Sequence, residues 1–190
     1  MNLKLLKRKV IYSGKVFNTI VDDVEYDSGN RSIREVAEHP GGAVIFAIFP
    51  DNKVLLIKQH RYPINKFIYE LPAGKLDPGE DPLDCAKREL EEETGYKAKK
   101  WKKLTAIFTT PGFCSEQLHI FLAQNLHLST NGRNLEEGEL TMTVEILPLQ
   151  KTVEMIENQE IVDAKSICGI MIGKMVVEKF LILQKKSLNL

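Results

Sequence analysis

The stretch GKLDPGEDPLDCAKRELEEETGY, which runs from Gly74 to Tyr96, is dense in carboxylates. Three glutamates in a row occupy positions 91–93, and Glu80 and Glu89 precede them. Like charges this close together repel one another, so they must either be dispersed in water or share a bound cation. The other residues of the stretch predict the shape in which the carboxylates are held.

The stretch predicts one α-helix that starts at Pro82 and stops at Gly95. Asp81 or a neighbour can cap its first turn, proline is tolerated in that turn, and glycine is a common stop. Three apolar side chains fall on one face and predict that the helix docks onto a sheet: Leu83, Ala86 and Leu90. The helix should therefore hold its charged face beside the core.

Glu89, Glu92 and Glu93 share a second face of this helix, because each residue advances by about 100° around the axis. Hard divalent cations prefer oxygen ligands, and Mg²⁺ commonly combines a few carboxylates with substrate phosphates. Bound in this way, such ions polarise phosphoryl oxygens and activate water. The alternative is a solvated acidic face, which many acidic runs on helices form.

The spacing of the whole stretch favours the metal site. Gly74 is followed after five residues by Glu80, after seven more by Arg88-Glu89-Leu90, and then, with one residue between each pair, by Glu92-Glu93 and Gly95-Tyr96. This pattern resembles the complete signature of the Nudix hydrolase family. Tyr96 is a soft departure, since an aliphatic residue is commoner there.

The resemblance implies Mg²⁺ or Mn²⁺ as cofactor, with two or three ions at the site. Arg88 would orient the carboxylates through charge-assisted hydrogen bonds, and both Arg88 and Glu92 are expected among the catalytic groups. Gly74 is expected to make a tight loop and Gly95 to cap the helix. The implied metal ligands are Glu80, Glu89, Glu92, Glu93 and the carbonyl of Ala73.

Strand patterns surround the helix, and two helical stretches follow near the C-terminus. Together they predict an α+β fold, which resembles the Nudix α/β/α sandwich with a mixed sheet. A hairpin turning at DSGN precedes it and predicts a small antiparallel β-unit, so we expect units at residues 1–40 and 41–190. The predicted strands are 16–26, 31–39, 41–50, 53–62, 67–74, 101–110, 117–126 and 141–149; the later helices are 149–158 and 163–185.

The substrate is indicated by PGFCSE, whose Pro111 lies fifteen residues after Tyr96. This loop, with ELPAG at the start of the box, resembles the ADP-ribose pyrophosphatase subfamily. The resemblance implies hydrolysis of ADP-ribose to AMP and ribose 5-phosphate. One alternative is another nucleotide sugar, such as GDP-mannose or ADP-glucose. A second, from another class, is a catalytically silent domain that senses ADP-ribose.

Further site residues follow from the subfamily resemblance. A glutamate in the late loop NLEEGEL would act as base or position the attacking water, and Glu139 and Glu137 both stay open against a solvated turn. Glu116 is a candidate for ribose or metal contact, and Arg34 and Arg61 for the diphosphate. Phe17 either stacks on adenine or packs in a core. We also expect a homodimer in which the N-terminal unit completes the partner's site.

Composition limits the other classes of function. The 26 basic and 26 acidic side chains give a formal net charge of zero, so no overall field draws in nucleic acid. The three cysteines form no CxxC pair and indicate free thiols. The N-terminal apolar run is too short for a signal peptide, and charges at 174, 178 and 179 interrupt the apolar tail. We therefore expect a cytoplasmic protein that binds no membrane.

Overall fold

The computed structural model describes residues 2–188, with side chains up to residue 179. Three strands form an antiparallel N-terminal sheet in the order β1-β2-β3. Their bounds are Leu3–Ser13, Asn18–Tyr26 and Arg31–Glu38. The turn between β2 and β3 lies at the predicted DSGN, where Gly29 has a φ of 81° that suits glycine.

Two further sheets carry the rest of the fold. One is a mixed sheet in the order β7-β4-β9-β8, in which β4 and β9 are parallel and the other pairs are antiparallel. The other is antiparallel, in the order β10-β5-β6. The strands are β4 Gly42–Ala47, β5 Lys53–Arg61, β6 Lys66–Glu70, β7 Ala73–Lys75, β8 Tyr96–Phe108, β9 Gln117–Leu128 and β10 Thr143–Pro148.

Helices cover both faces of the mixed sheet, because side chains alternate along its central strands. The helices are α1 Pro82–Thr94, α2 Leu149–Glu157 and α3 Ala164–Leu188. On one face, Ile45 and Phe121 pack in a cluster with Leu90 of α1. On the other, Phe46 and Ile120 pack with residues of α2 and α3. Glycines at 169 and 173 bring α3 close, since a Cβ there would lie 2.4 Å from a carbon of Leu71 or Phe46.

The predicted α+β fold with a mixed sheet and an N-terminal antiparallel sheet is confirmed. One strand, β1, was missed, and the predicted strand 67–74 is divided into β6 and β7. β1 carries lysines and arginine among its apolar residues and is exposed along its whole length, so it shows no buried face. β7 has three residues and ends in the box itself. β8 also begins at Tyr96, five residues before the predicted strand.

The N-terminal sheet joins the rest of the chain through the loop that contains PGFCSE. Ala37 pairs with Cys114 in a parallel bridge, and the backbone N–H of His39 donates to Ser115 Oγ at 2.9 Å. The loop is thus tied to the end of β3. Within residues 2–188, no helix is both long enough and apolar enough to cross a membrane.

Candidate functional site

Helix α1 has the ends that its sequence predicts. Asp81 lies at the N-cap, where its carboxylate accepts the backbone N–H of Leu83 at 2.8 Å, and Pro82 occupies the first helical position. Gly95 caps the other end in the left-handed region, with φ 75°. Cys85, Ala86 and Leu90 are buried against the sheet. These contacts fix the direction in which the glutamates of α1 point.

Glu89 lies directly over the backbone of Gly74 in β7. A Cβ added to Gly74 would stand 1.8 Å from Glu89 Oε1, so only glycine admits the carboxylate at this position. The expected tight loop at Gly74 is wrong: the residue is in an extended strand, and its φ is not positive. Close approach of a side chain is therefore the reason for glycine at the start of the box.

Arg88 links three carboxylates on the outer side of the helix. Its Nη1 donates to Glu89 Oε1 at 2.6 Å and to Glu92 Oε2 at 3.0 Å, and its Nε donates to Glu80 Oε1 at 2.9 Å. The hydrogen bond from Arg88 lowers the pKa of Glu80 to about 2. Arg88 thus orients these carboxylates and supplies part of the positive charge among them.

Two carboxylates of α1 lie in surroundings that disfavour their ionised forms. Burial, opposed in part by Arg88, raises the pKa of Glu89 to about 6. Glu93 is 2% exposed; burial and the nearby Glu89 raise its pKa well above the usual range, although its Oε2 accepts the Ala73 N–H at 3.0 Å. A cation between these groups would stabilise their ionised forms.

The carboxylates are not already closed around a common point. Among the side chains described, no three from Asp, Glu, His or Cys are gathered as they would be around a metal ion. Arg88 takes up lone pairs of Glu89 and Glu92 instead. The donor types fit a hard divalent cation, and the contacts of Arg88 with these two glutamates would have to yield to it.

An open cleft of about 920 Å³ lies over this cluster. It brings together seven of the residues that the sequence singles out: Arg61, Ala73, Arg88, Glu89, Glu92, Glu116 and Glu139. Glu116 is held by the loop after β8, where its Oε1 lies 3.4 Å from His39 Nδ1. Glu93 is buried beneath the cleft and is not in its lining. Glu80 is outside the lining as well and forms an ion pair with Arg88.

Four predicted site residues lie away from the cleft lining of this chain. Pro111 and Glu137 are exposed. Arg34, on β3, donates to Tyr26 Oη and to the backbone of its own strand. Phe17 is 42% exposed and contacts Tyr12 edge to face, so the alternative of a core aromatic is wrong. Its neighbours Lys15 and Val16 do line the cleft, where Lys75 Nζ donates to the Lys15 carbonyl at 2.7 Å.

The late loop is fastened to the C-terminal end of α1. Arg133 Nε donates to the Glu93 carbonyl at 2.7 Å, and the Asn134 N–H donates to the Glu92 carbonyl at 2.9 Å. Glu136 and Glu139 form a reciprocal capping box around the short 3-10 turn Glu137–Glu139. Glu139 raises the pKa of both Glu89 and Glu93 by its charge, after larger causes in each case, so it lies near the cluster.

Sequence reasoning missed a buried carboxylate beside the cleft, Glu70, and the lysine that pairs with it. Glu70 is fully buried, and Arg61 donates to both of its oxygens at 2.7 Å. Lys165, at the start of α3, forms an ion pair with the same carboxylate. Glu70 sits in ELPAG, where a glutamate at the end of an apolar strand was a usable signal. Lys165 follows it by 95 residues and had none.

Comparison with known proteins agrees with this geometry. An ADP-ribose pyrophosphatase of Bacillus subtilis (strain 168) is 43% identical over 163 residues, which cover 86% of this chain and 88% of that protein. A methanol dehydrogenase activator of Bacillus methanolicus is 40% identical over 88% of this chain and 90% of its own length.

A solved structure shows the fold, and a family model shows the family. The crystal structure of an ADP compounds hydrolase has a TM-score of 0.81 and 21% identity, covering 94% of this chain and 96% of that one, which shows the fold. The model of the NUDIX domain matches residues 38–167, more than half of the chain. With an intact signature on α1 and a family match over most of its length, this chain belongs to the NUDIX family.

Proposed function

We propose that this protein hydrolyses the diphosphate bond of ADP-ribose and releases AMP and ribose 5-phosphate. The observation that carries the proposal is a cleft that is lined by Glu89 together with Arg61, Lys75 and Lys165, with the carboxylate of Glu93 buried beneath it. Such a site suits a cation together with an anionic substrate. The 43% identical ADP-ribose pyrophosphatase supports ADP-ribose as that substrate.

The donor set fits divalent metal, and we assign it to Mg²⁺ or Mn²⁺, with two or three ions. The proposed ligands are Glu89, Glu92 and Glu93, with Glu80 and the Ala73 carbonyl in support. When bound, such ions lower the pKa of water and stabilise charge on phosphoryl oxygens. Arg88 would then give up its contacts with Glu89 and Glu92 and keep its pair with Glu80, which would hold it beside the site.

The chain's own side chains would bind and orient the substrate. Arg61 presents a planar donor group to the cleft and suits phosphate oxygens. Glu116, whose Oε1 lies 3.4 Å from His39 Nδ1, would accept hydroxyl groups of a ribose or contact a metal ion. Glu139, on the fastened late loop, is the first candidate for holding the attacking water or taking its proton, with Glu137 as the alternative. Pro111 would shape the loop that carries Glu116.

We further propose that two copies associate through the N-terminal sheet, residues 1–40, against the hydrolase unit, residues 41–190. Apolar side chains are exposed on β1 and β3, among them Val10, Ile11 and Ile33, each about 60% exposed. A patch of this kind marks a protein–protein interface. In that dimer Arg34 and Phe17 would face the partner's cleft, whereas Lys15 and Val16 already line their own.

Other readings of the site remain as outcomes of a test. The cleft would also admit another nucleotide sugar, such as GDP-mannose or ADP-glucose. A silent ADP-ribose sensor is opposed by the intact set of box carboxylates. The 40% identical methanol dehydrogenase activator favours a second function, in which the protein acts on a dehydrogenase. We place the protein in the cytoplasm and assign it no nucleic-acid partner, in keeping with its net charge of zero.

The deciding experiment is a product assay with Mg²⁺ on ADP-ribose, ADP-glucose, GDP-mannose and a dinucleoside polyphosphate, with EDTA as the control. We expect AMP chiefly from ADP-ribose, and loss of turnover by about a hundredfold or more in Glu93→Gln. Preferred turnover of another compound would keep the metal site and reject the substrate. Binding of ADP-ribose without turnover would reject the enzyme in favour of the sensor.

A further inference from the structure

Glu70 is a buried carboxylate shared by two cations from different parts of the fold. Its side chain is 1% exposed, and it accepts both Nε and Nη2 of Arg61 at 2.7 Å while also pairing with Lys165. Burial acts to raise the pKa of Glu70, but hydrogen bonds and charge from the two cations outweigh it and lower the pKa. The carboxylate is therefore ionised, and its charge holds both cations.

Both cations reach the cleft from this anchor. Arg61 lies at the end of β5 and Lys165 at the start of α3, and both are in the cleft lining. The Arg61 side chain stays 42% exposed although two of its nitrogens are used by Glu70. Lys165 is 14% exposed and also pairs with Asp163 Oδ2 at 3.0 Å. The two cations thus lie side by side in the lining of the cleft that also holds Glu89 and Glu92 of α1.

The packing of α3 against the sheet does not depend on the ion pairs of Glu70. Ser166 Oγ accepts the N–H of Leu71, the residue after β6, at 2.7 Å, so a neutral hydrogen bond already joins α3 to this segment; Asp163 accepts the Ser166 N–H at 3.0 Å at the start of the helix. Ile170 is fully buried in the core. A buried ion pair adds little to stability compared with apolar packing of the same volume. Something other than stability should therefore explain two cations on one buried carboxylate.

We propose that Lys165 is a second phosphate-binding residue beside Arg61, and that Glu70 is the positioning residue that holds both cations toward the cleft. The inference rests on the proposed function and adds a specificity-determining residue to it. A diphosphate bound over the proposed metal ions would still have phosphate oxygens without a partner, and the lining of the cleft places Arg61 and Lys165 within one site with Glu89 and Glu92. A planar guanidinium and a point-charge ammonium would bind those oxygens and fix the substrate's position in the cleft.

The first test compares Lys165→Met with Lys174→Met. Lys174 is a matched control because it lies on the same helix and also pairs with a glutamate, Glu178, at 3.8 Å. A hydrogen bond to a charged group is worth about tenfold or more in affinity. We expect K165M to raise KM for ADP-ribose, and its dissociation constant in equilibrium titration, about tenfold, with kcat changed much less. K174M should leave both unchanged, and Lys165→Arg should restore most of the loss.

The second test uses Glu70→Gln, which keeps the size of the side chain and removes its charge. We expect a KM rise at least as large as that of K165M, and a smaller effect of K165M when both changes are combined, because the lysine has already lost its anchor. The Mg²⁺ concentration needed for half activity is compared for K165M, where it should stay as in the parent protein. If E70Q does not fold, the comparison of K165M with K174M decides alone.

The outcomes separate this inference from the proposed function. A parent protein that hydrolyses ADP-ribose, with K165M equal to K174M in KM and in binding, would overturn the role of Lys165 and leave the function intact. Strictly additive effects of E70Q and K165M would overturn the positioning role of Glu70. A parent protein that neither binds nor hydrolyses ADP-ribose would overturn both the function and the inference.

Discussion

Glu89 offers a direct physical test, because its pKa is raised from 4.5 to about 6 in the metal-free protein. The folded state then binds the proton more tightly than the unfolded chain, so stability falls as pH rises through this window. The shift corresponds to about 2 kcal/mol, since one pKa unit is worth about 1.4 kcal/mol. The side chain is 13% exposed, so solvent screens little of this effect.

The perturbation is Glu89→Gln, which cannot titrate. We expect the free energy of unfolding of E89Q, relative to the parent protein, to improve by about 2 kcal/mol between pH 4 and pH 8 in EDTA. The measurement is urea unfolding at a series of pH values. Glu178→Gln is the control, because it also removes one negative charge from a glutamate that is 55% exposed.

At pH 8, added Mg²⁺ should make the parent protein more stable than E89Q. A cation that binds the folded state stabilises the parent protein, and E89Q should gain less because it lacks one charged ligand. A difference between E89Q and the parent protein that stays flat with pH in EDTA would refute the assigned burial of an ionisable Glu89. Equal stabilisation of both by Mg²⁺ would refute its role as a ligand.

Three further predictions concern single residues. Gly74→Ala should cut ADP-ribose turnover about tenfold or more with an unchanged circular dichroism spectrum, because the new Cβ would displace Glu89; normal turnover would contradict the close approach. The Cys85 thiol, whose pKa burial raises to about 12, should resist iodoacetamide in the native protein and react in urea; rapid native labelling would contradict its burial. Glu139→Gln should lower kcat far more than Glu137→Gln, with the reverse order identifying Glu137 as the base.

Local interactions explain why so much of α1 was predictable. Asp81, Pro82 and Gly95 act within a few residues of themselves, and the angle between Glu89 and Glu93 follows from helix geometry alone. The proposal that the cluster holds a metal ion rests on spacing within one stretch. The paired strands β2 and β3 were equally predictable, because their turn residues lie between them in sequence.

Contacts between residues that are far apart in sequence were harder to predict. The reason for glycine at position 74 lies in Glu89, fifteen residues later, once β7 and α1 have packed. The edge strand β1 has no buried face, so a pattern of alternation could not reveal it. Phe17 and Arg34 were assigned to the substrate by resemblance, and the chain's own cleft is lined instead by Lys15 and Val16.

The sequence by itself determined the family signature, the helix that carries it and the carboxylate face, because these depend on spacing and on caps within 23 residues. Only the tertiary structure decided which charges meet. Arg88 donates hydrogen bonds to Glu80 across the start of the helix, and Glu70 pairs both with Arg61 and with Lys165, which lies 95 residues after Glu70. Such contacts depend on how sheets and helices pack, and packing is a property of the whole core.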